Sequence, residues 1–267
     1  MKKLISLILA LVMCTGAIFA LSSCGKNDTL VCGVTIFENM NEQDADGNWT
    51  GFESEFAMEV GKLIGMDVEF QIIDWAQKYS ELNSGKIDCI WNGFTANSSD
   101  EINGVKTQRS DLVDFSYTYM LNQQCVVVKK DKVADFATEA ALVGKSAAVE
   151  GGSAGAAYAK DAVGETGKLA EFPAQINAFL EVSSGKSEFA VVDILLAKNV
   201  CGKGDYENLA IVESIELPAE YYAVGFRKGS DLTAKVNDAI KQLDENGKLL
   251  ELAKKYKLEN SLQVKYD

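Results

Sequence analysis

Short apolar runs alternate with amphipathic segments along most of this chain, and this alternation limits the folds that it can adopt. Residues 68–73 have the length and the apolar content of a buried strand. Residues 52–64 instead place Phe56 and Val60 on one face of a helix and Glu53 on the opposite face. Strands that alternate with helices form mostly parallel sheets covered on both faces, so the sequence predicts an α/β fold.

The same patterns place the other elements. Further strands are predicted at residues 30–35, 87–91, 125–128, 146–149, 169–172, 189–192 and 222–226. Further helices are predicted up to Leu82 and at residues 154–160, 175–182, 194–200, 232–243 and 249–256. Gly247 separates the last two helices.

The first 24 residues have the layout of an export signal. Lys2 and Lys3 precede the almost wholly apolar residues 4–20, an order that is typical of a secretory signal peptide. This run is shorter than the roughly 20 apolar residues that a membrane span needs. It is followed by Leu-Ser-Ser and Cys24, which resembles a bacterial lipobox.

We therefore predict a signal peptide at residues 1–23, a lipid on Cys24 and a short tether at residues 24–29. The protein would be exported and anchored through this lipid to the outer face of the cell membrane. An ordinary signal peptide cut nearby and an uncleaved anchor helix are the alternatives.

The composition excludes several classes of function. The formal net charge of the 267-residue chain is −13, and an acidic surface argues against a nucleic-acid partner. The chain has no histidine, so it cannot form a Ser-His-Asp triad or a histidine-based metal site. No CxxC pair supports a zinc site, and we predict neither a metal nor a cofactor.

Four cysteines remain after Cys24. Cys32, Cys89, Cys125 and Cys201 are widely spaced and could form two disulfides. The first three lie inside apolar runs, and we interpret the four as small buried side chains.

Polar residues stand where two predicted strands end, and open α/β sheets bind ligands at the carboxyl ends of their strands. Gly93 and Thr95 follow the strand at 87–91. Glycine allows a close approach of the backbone to a ligand, and the threonine hydroxyl both donates and accepts. Asp193 ends the strand at 189–192 and could hold a ligand ammonium. An ordinary turn and a helix N-cap are the plain alternatives.

Two further features suit a carboxylate. Gly152 and Ser153 lie in a glycine-rich turn that opens a helix, where free N–H groups and the helix dipole attract anions. Ser153 as a simple N-cap is the alternative. Arg109 can bind a carboxylate through two parallel hydrogen bonds. Otherwise it would be a surface arginine paired with Asp111 or Asp114.

Short motifs follow one another in a recognisable order through nearly all of residues 30–258. They are Gly33, Gly51-Phe52 with Glu55 and Ala57, Leu82-Asn83-Ser84-Gly85-Lys86-Ile87-Asp88, Arg109 with Asp114-Phe115-Ser116 and Tyr119, Leu142-Val143-Gly144-Lys145, Gly152-Ser153, Ser184-Gly185 with Asp193, Gly225-Phe226-Arg227-Lys228-Gly229, and Val236-Asn237 with Gly247 and Lys254-Lys255-Tyr256. Their order and spacing resemble the polar-amino-acid class of bacterial solute-binding proteins.

The resemblance implies a periplasmic-binding-protein-like α/β fold with two lobes that close on a ligand. Each lobe would contain a mostly parallel sheet flanked by helices, and two strands would form the hinge. Lobe 1 would comprise residues 30–121 and 224–267, and lobe 2 residues 126–217. The hinge would lie at residues 122–125 and 218–223.

The resemblance also implies how the ligand carboxylate is bound. Arg109 would clamp it from lobe 1, and the backbone N–H groups of Gly152 and Ser153 would reach it from lobe 2. Two departures concern this part of the site. Residues 97–108 are longer than is usual in the family, and Ala154 stands where a second hydroxyl is common.

The ammonium and the side chain of the ligand would have their own partners. Asp193 would take the ammonium, and Gly93 and Thr95 would share the ammonium and the carboxylate. Phe37 and Trp75 match positions that pack on the ligand side chain. Gln175 matches a lobe 2 position near its far end. Ile36 replaces a residue that is often acidic or polar in relatives.

The function implied is that of a receptor, not an enzyme. The protein would bind a free amino acid, pass it to a membrane ABC permease and act as a monomer. One alternative is a dehydratase-like enzyme on the same fold that uses Glu38, Glu150 or Glu220 as a general acid. A sensory domain is the other alternative.

Overall fold

The computed structural model describes residues 28–266. The predicted signal peptide, Cys24 and most of the predicted tether lie outside the described residues. Within residues 28–266, no helix combines the length and the apolar character that crossing a membrane requires.

The elements alternate much as predicted. The strands are β1 (Thr29–Val34), β2 (Glu42–Gln43), β3 (Trp49–Thr50), β4 (Asp67–Ile72), β5 (Cys89–Ile90), β6 (Ser99–Ile102), β7 (Val105–Gln108), β8 (Asp114–Phe115), β9 (Thr118–Lys129), β10 (Ser146–Glu150), β11 (Lys168–Phe172), β12 (Phe189–Asp193), β13 (Leu209–Ile211), β14 (Ala219–Tyr222), β15 (Gly225–Phe226) and β16 (Leu262–Lys265). The α-helices are α1 (Phe52–Ile64), α2 (Lys78–Asn83), α3 (Arg109–Leu112), α4 (Ala154–Val163), α5 (Gln175–Ser183), α6 (Ile194–Val200), α7 (Leu232–Glu245) and α8 (Lys248–Lys255).

Two main sheets define two lobes. Lobe 1 contains a five-stranded sheet in the order β4-β1-β5-β15-β8, in which β1 is parallel to β4 and β5. Lobe 2 contains the order β11-β10-β12-β9-β13, in which β10 is parallel to β11 and β12. In lobe 1, β15 is antiparallel to both of its neighbours, β5 and β8, and in lobe 2, β9 is antiparallel to both β12 and β13. Each sheet therefore joins a parallel part to an antiparallel edge.

Strand β9 belongs to both halves of the molecule. Its first part, beginning at Thr118, pairs with β14 and β16. Its second part, ending at Lys129, pairs with β12 and β13 inside lobe 2. Because β9 and β14 are antiparallel neighbours, the chain crosses between the lobes twice at almost the same place.

Helix α1 has the predicted bounds but not the predicted polar face. Phe52, Phe56 and Val60 are buried, as expected. Glu53, predicted on the polar face, is fully buried as well. Its carboxylate accepts hydrogen bonds from the N–H of Gly93 at 3.0 Å and from the hydroxyl of Tyr119 at 2.5 Å. These donors explain how a carboxylate is accommodated inside the core.

Two segments differ from the predictions. The single strand predicted at residues 222–226 is wrong, because the chain leaves β14, which pairs with β9, and joins lobe 1 through β15. Between them, the N–H of Ala223 donates to the carbonyl of Phe94 at 3.0 Å. Residues 99–108, for which no element was predicted, form the β6–β7 hairpin.

The four cysteines in the described part of the chain are free thiols. Cys32 and Cys89 are buried register partners on β1 and β5, and their sulfur atoms are 3.6 Å apart. Cys125 is buried and Cys201 half-buried. Their surroundings agree with the interpretation as small packed side chains, less fully for Cys201.

Candidate functional site

A narrow cleft lies between the lobes, at the carboxyl ends of β5, β10 and β12. It is lined by seven of the nine residues predicted to bind the ligand, namely Trp75, Gly93, Thr95, Arg109, Ser153, Gln175 and Asp193. The other lining residues are Asn92, Gln124, Glu150 and Ala154. Gly152 and Phe37 are not among the lining residues: Gly152 lines a neighbouring pocket, and Phe37 packs against Gly93.

Arg109 is buried and firmly held. Only 1% of its side chain is exposed, so the alternative of a surface arginine is wrong. Its Nε and Nη2 atoms both donate to Oδ1 of Asp100, at 3.0 and 2.9 Å, and Nη1 donates to the carbonyl of Thr95 at 3.1 Å. The guanidinium also lies over the ring of Phe94, 4.8 Å from its centroid. Its ion-pair partner is thus neither Asp111 nor Asp114.

Asp100 lies in the β6–β7 hairpin and forms ion pairs with two cationic side chains. It pairs with Arg109 and, at 3.3 Å, with the Nζ atom of Lys78, and it accepts a hydrogen bond from the hydroxyl of Tyr79 at 2.6 Å. Burial opposes ionisation of Asp100, but Arg109 and Lys78 hold its pKa below the ordinary value. Burial lowers the pKa of Lys78 to about 8, although Asp100 opposes this shift. This buried group of three charges was not predicted.

The glycine-rich turn presents a carbonyl to these cations. The carbonyl of Gly152 accepts from Nζ of Lys78 at 2.8 Å and from Nη2 of Arg109 at 3.4 Å. Ser153 is the N-cap of α4, since its Oγ accepts from the N–H of Ala156 at 3.0 Å. The N–H of Ser153 donates to the carbonyl of Glu150 at 3.2 Å, so it is not the free donor to a ligand carboxylate that was predicted. Lobe 2 therefore contacts both cations of lobe 1 directly.

Asp193 is surrounded by side-chain amides. Its Oδ1 accepts from Nδ2 of Asn122 at 2.6 Å and from Nε2 of Gln124 at 2.7 Å, and its Oδ2 accepts from Nε2 of Gln175. Oε1 of Gln175 in turn accepts from the N–H of Asp193 at 2.8 Å. Gln175 is therefore a support for Asp193 as well as a lining residue.

Glu220 lies beside Asp193 at the hinge and accepts from the hydroxyl of Thr95 at 3.2 Å. In the predictions it appeared only as a general acid of the enzyme alternative. The register explains its place, because Glu220 is paired with Asn122 across β14 and β9. The alternation of Asn122 and Gln124, which puts both amides on one face of a strand, is the sequence signal that was missed.

Gly93 is required by its surroundings. Its φ of 55° is a left-handed value, and an added Cβ would lie 3.1 Å from the rings of both Phe37 and Tyr222. Its N–H is occupied by Glu53, so only its carbonyl is left for a ligand. Phe37 packs behind this glycine, whereas Trp75 lines the cleft and meets Phe94 edge-on.

Carboxylates outnumber cations around the cleft. Burial raises the pKa of Glu150 to about 8, and it raises the pKa of Glu53 and of Glu220 to about 7. Burial raises the pKa of Asp193 as well. The negative charge of Asp193 adds to the shifts of the other three. In the part of the chain that the structure describes, no cluster of acidic or cysteine side chains suits a metal ion.

Residues 30–259 match the model of a known family, the bacterial extracellular solute-binding proteins, family 3. The match covers most of the chain, and the protein belongs to this family.

Individual proteins resemble the chain over most of its length. The arginine-binding extracellular protein ArtP of Bacillus subtilis (strain 168) is 27% identical over 247 residues, which cover 89% of this chain and 92% of ArtP. The L-cystine-binding protein TcyA of the same organism is 30% identical over 238 residues, covering 88% of this chain and 83% of TcyA. An ancestral arginine-binding protein, solved with bound arginine, has a TM-score of 0.77 at 27% identity and covers 87% of this chain and 99% of its own.

These findings confirm the predicted class, a solute-binding protein of the polar-amino-acid type, and the predicted periplasmic-binding-protein-like fold. Membership of an extracellular family also makes this an exported protein. The individual ligand contacts, the lobe boundaries and the lipid on Cys24 stay predictions.

Proposed function

We propose that this protein captures a free amino acid between its two lobes and delivers it to a membrane ABC importer. The observation that carries the proposal is the presence of a buried arginine and a buried aspartate in one cleft. Arg109 belongs to lobe 1 and Asp193 to lobe 2. A zwitterion is costly to desolvate, and fixed charges of opposite sign offset that cost.

The lobes would close because the ligand has partners on both of them. Arg109 would take the α-carboxylate, which would replace the Gly152 carbonyl at the guanidinium. Asp193 would take the ammonium with the Gly93 carbonyl and the Thr95 hydroxyl. A ligand that contacts both lobes stabilises the closed state over the open one. The hinge would be residues 122–125 and 218–223, as predicted.

The charges of the cleft favour an amino acid with a positive side chain. Asp100 offsets one of the two buried cations, Lys78 and Arg109. Glu53, Glu150, Asp193 and Glu220 form no ion pair within residues 28–266. A second cationic group on the ligand would favour the ionised forms of these carboxyl groups and so create complementary charge, and Trp75 offers an aromatic surface to it. ArtP, one of the relatives, is an arginine-binding protein.

An enzyme acting on a carboxylate is the second candidate. The pKa of Glu150, about 8, and that of Glu220, about 7, suit a general acid. The relatives described above are named for binding, which supports the receptor instead. We further propose that Cys24 carries a lipid that holds the receptor, as a monomer, beside its permease.

A thermal-shift screen tests the proposal. The protein without its signal peptide is heated with each common amino acid, with ornithine and cystine, and with matched carboxylates that lack the amino group. A ligand that binds only the folded state raises the midpoint. We expect the largest shifts with arginine, lysine and ornithine, and none with carboxylates lacking an amino group.

The outcomes separate the two candidates. No shift with any amino acid would contradict the receptor, provided that mass spectrometry of the denatured protein finds no co-purified amino acid. Recovery of the bound compound unchanged after long incubation supports the receptor, whereas its conversion would establish the enzyme.

A further inference from the structure

Two carboxylates at the hinge are held by the same pair of amides. Nδ2 of Asn122 donates to Oδ1 of Asp193 at 2.6 Å and to Oε2 of Glu220 at 3.0 Å. Nε2 of Gln124 donates to the same two oxygens, at 2.7 and 2.9 Å. Since both nitrogens touch both oxygens, the two carboxylates face each other across the amides.

This pair lacks a direct counter-charge. Asp193 is 4% exposed and Glu220 is 9% exposed, and within residues 28–266 neither forms an ion pair. Oδ1 of Asn122 is buried beside them and accepts no hydrogen bond. A buried acceptor without a donor is costly and uncommon in folded proteins. A positively charged group with several N–H donors would satisfy the carboxylates of Asp193 and Glu220 and the Oδ1 atom of Asn122.

The groups around the pair are mostly acidic or neutral. Arg109 of α3 acts on Glu220 from the cleft side, and Thr95 donates to it. Glu53 of α1 and Glu150 of β10 are further carboxyl groups that interact with Asp193, and Lys78 acts mainly on Asp100 and less on Glu150. Gln175 of α5 and Tyr222 of β14 face Asp193 as neutral groups.

We propose that Glu220 is a second carboxylate of the ammonium subsite, and that the Asp193–Glu220 pair holds a proton in the empty cleft and releases it when a ligand ammonium binds. This inference rests on the proposed function and adds the release of a proton to the binding of the ligand. The proton passes from the carboxyl group to the solvent, and the ammonium keeps all of its hydrogens.

The physical reason is the repulsion between two like charges in a buried site. When two carboxyl groups share such a site, one of them stays protonated well above its ordinary pKa. The pKa of Glu220 is raised to about 7, first by burial and then by the charge of Asp193, in agreement with this behaviour. An ammonium placed between the two groups favours both ionised forms. Binding should therefore strengthen as the pH rises through neutrality.

Calorimetry with L-arginine as the probe measures the proton directly. Titrations at pH 7 in two buffers with different ionisation enthalpies give the number of protons released per ligand bound. We expect the wild type to release a measurable fraction of one proton and Glu220→Gln to release much less. The matched control Glu216→Gln, a change at an exposed position, should behave as the wild type. Equal release by the wild type and Glu220→Gln, or no release by the wild type, would overturn the inference.

A second measurement needs no ligand and so separates this inference from the proposed function. The ¹³C resonances of the side-chain carboxyl groups are followed against pH in the ligand-free wild type. We expect the signals of Asp193 and Glu220, assigned through Glu220→Gln and Asp193→Asn, to include a titration near pH 7. The inference is wrong if both groups titrate below about pH 5, in the ordinary range of carboxyl groups. Failure of every amino acid to bind would contradict the proposed function, but this titration could still be measured and interpreted.

Discussion

Arg109 is held in place by other residues of the protein even without a ligand. Asp100 takes the Nε edge of the guanidinium, and the Thr95 carbonyl takes one Nη1 hydrogen. The donor that reaches the Gly152 carbonyl, at 3.4 Å, makes the longest of these contacts. An anion that displaces this carbonyl would meet a guanidinium that is already oriented, which reduces the entropic cost of binding.

Replacement of Arg109 by lysine tests this geometry. Arg109→Lys keeps the positive charge but loses the planar fork, so the contacts to Asp100, to Thr95 and to a ligand cannot all be made. We expect the affinity for the best ligand of the screen to fall by about 100-fold or more, in line with roughly 2–5 kcal/mol for a buried charge pair. Isothermal titration calorimetry measures it.

Arg227→Lys is the matched control, because Arg227 is paired with Asp88 away from the cleft. Its affinity should stay within a few-fold of the wild type. Equal losses in the two variants would mean that Arg109 acts through general stability and not through the ligand.

At the scale of residues, the sequence predicted the side chains that stand at strand ends. Gly93, Thr95, Ser153 and Asp193 line the cleft because parallel strands bring their carboxyl ends to one edge. Glu220 could not be placed in this way. Its contact with Thr95 in the cleft depends on its pairing with β9, and register between distant strands is not encoded in a local pattern.

At the scale of elements, the β6–β7 hairpin is the main addition to the predicted fold. It supplies Asp100 to the buried cations and, at its exposed side, Glu101 to Lys160 of α4 at 2.5 Å. The hairpin therefore extends from lobe 1 to lobe 2. Its turn residues, Asn103 and Gly104, both have positive φ, as tight hairpin turns require.

The hairpin had a sequence signal that periodicity alone did not reveal. Asn-Gly between two short runs is a strong turn signal, but residues 99–108 are polar and lack the apolar alternation of a half-buried strand. The helices α1 and α6 were predicted with their observed bounds because their apolar stripes are complete. Elements that bury a full apolar face can be predicted from the sequence. A polar hairpin that is held by three ionic contacts cannot be predicted in this way.

Replacement of Asp100 by asparagine tests what the hairpin contributes. Asp100→Asn leaves Arg109 and Lys78 buried without their counter-charge, which destabilises a protein by roughly 3–5 kcal/mol. We expect a loss of this size in the free energy of unfolding, measured with urea at neutral pH, together with weaker ligand binding.

Glu101→Gln serves as the control within the same hairpin. The Glu101–Lys160 pair is more than half exposed on both sides, and exposed pairs contribute about 0–1 kcal/mol. A loss in Asp100→Asn no larger than that in Glu101→Gln would contradict the role given to Asp100.

At the scale of the whole molecule, the structure has its lobes in contact. The Thr35 hydroxyl of lobe 1 lies 3.3 Å from Oε1 of Glu150 in lobe 2, and the N–H of Trp75 donates to the carbonyl of Pro173 at 3.4 Å. A ligand bound between the lobes would favour this compact arrangement. The fold class could be predicted from the alternation of elements in the sequence. The closeness of the lobes could not, because it depends on contacts between residues far apart in sequence.

Small-angle X-ray scattering tests the closure. We expect the radius of gyration of the protein to decrease when a saturating amino acid from the screen is added, because bridging contacts shift the population towards the compact state. Asp193→Asn at the same ligand concentration should show a smaller decrease. An unchanged radius in a sample that calorimetry shows to be saturated would mean that the lobes do not move.

The Glu101–Lys160 contact has a practical consequence. These two exposed residues are on opposite lobes and outside the lining of the cleft, in a neighbouring pocket. A fluorescent dye at one position and a quencher at the other would separate when the lobes part, while the buried contacts with the amino acid stay untouched. The pair is thus a natural place to convert this receptor into an optical sensor for the amino acid that it binds.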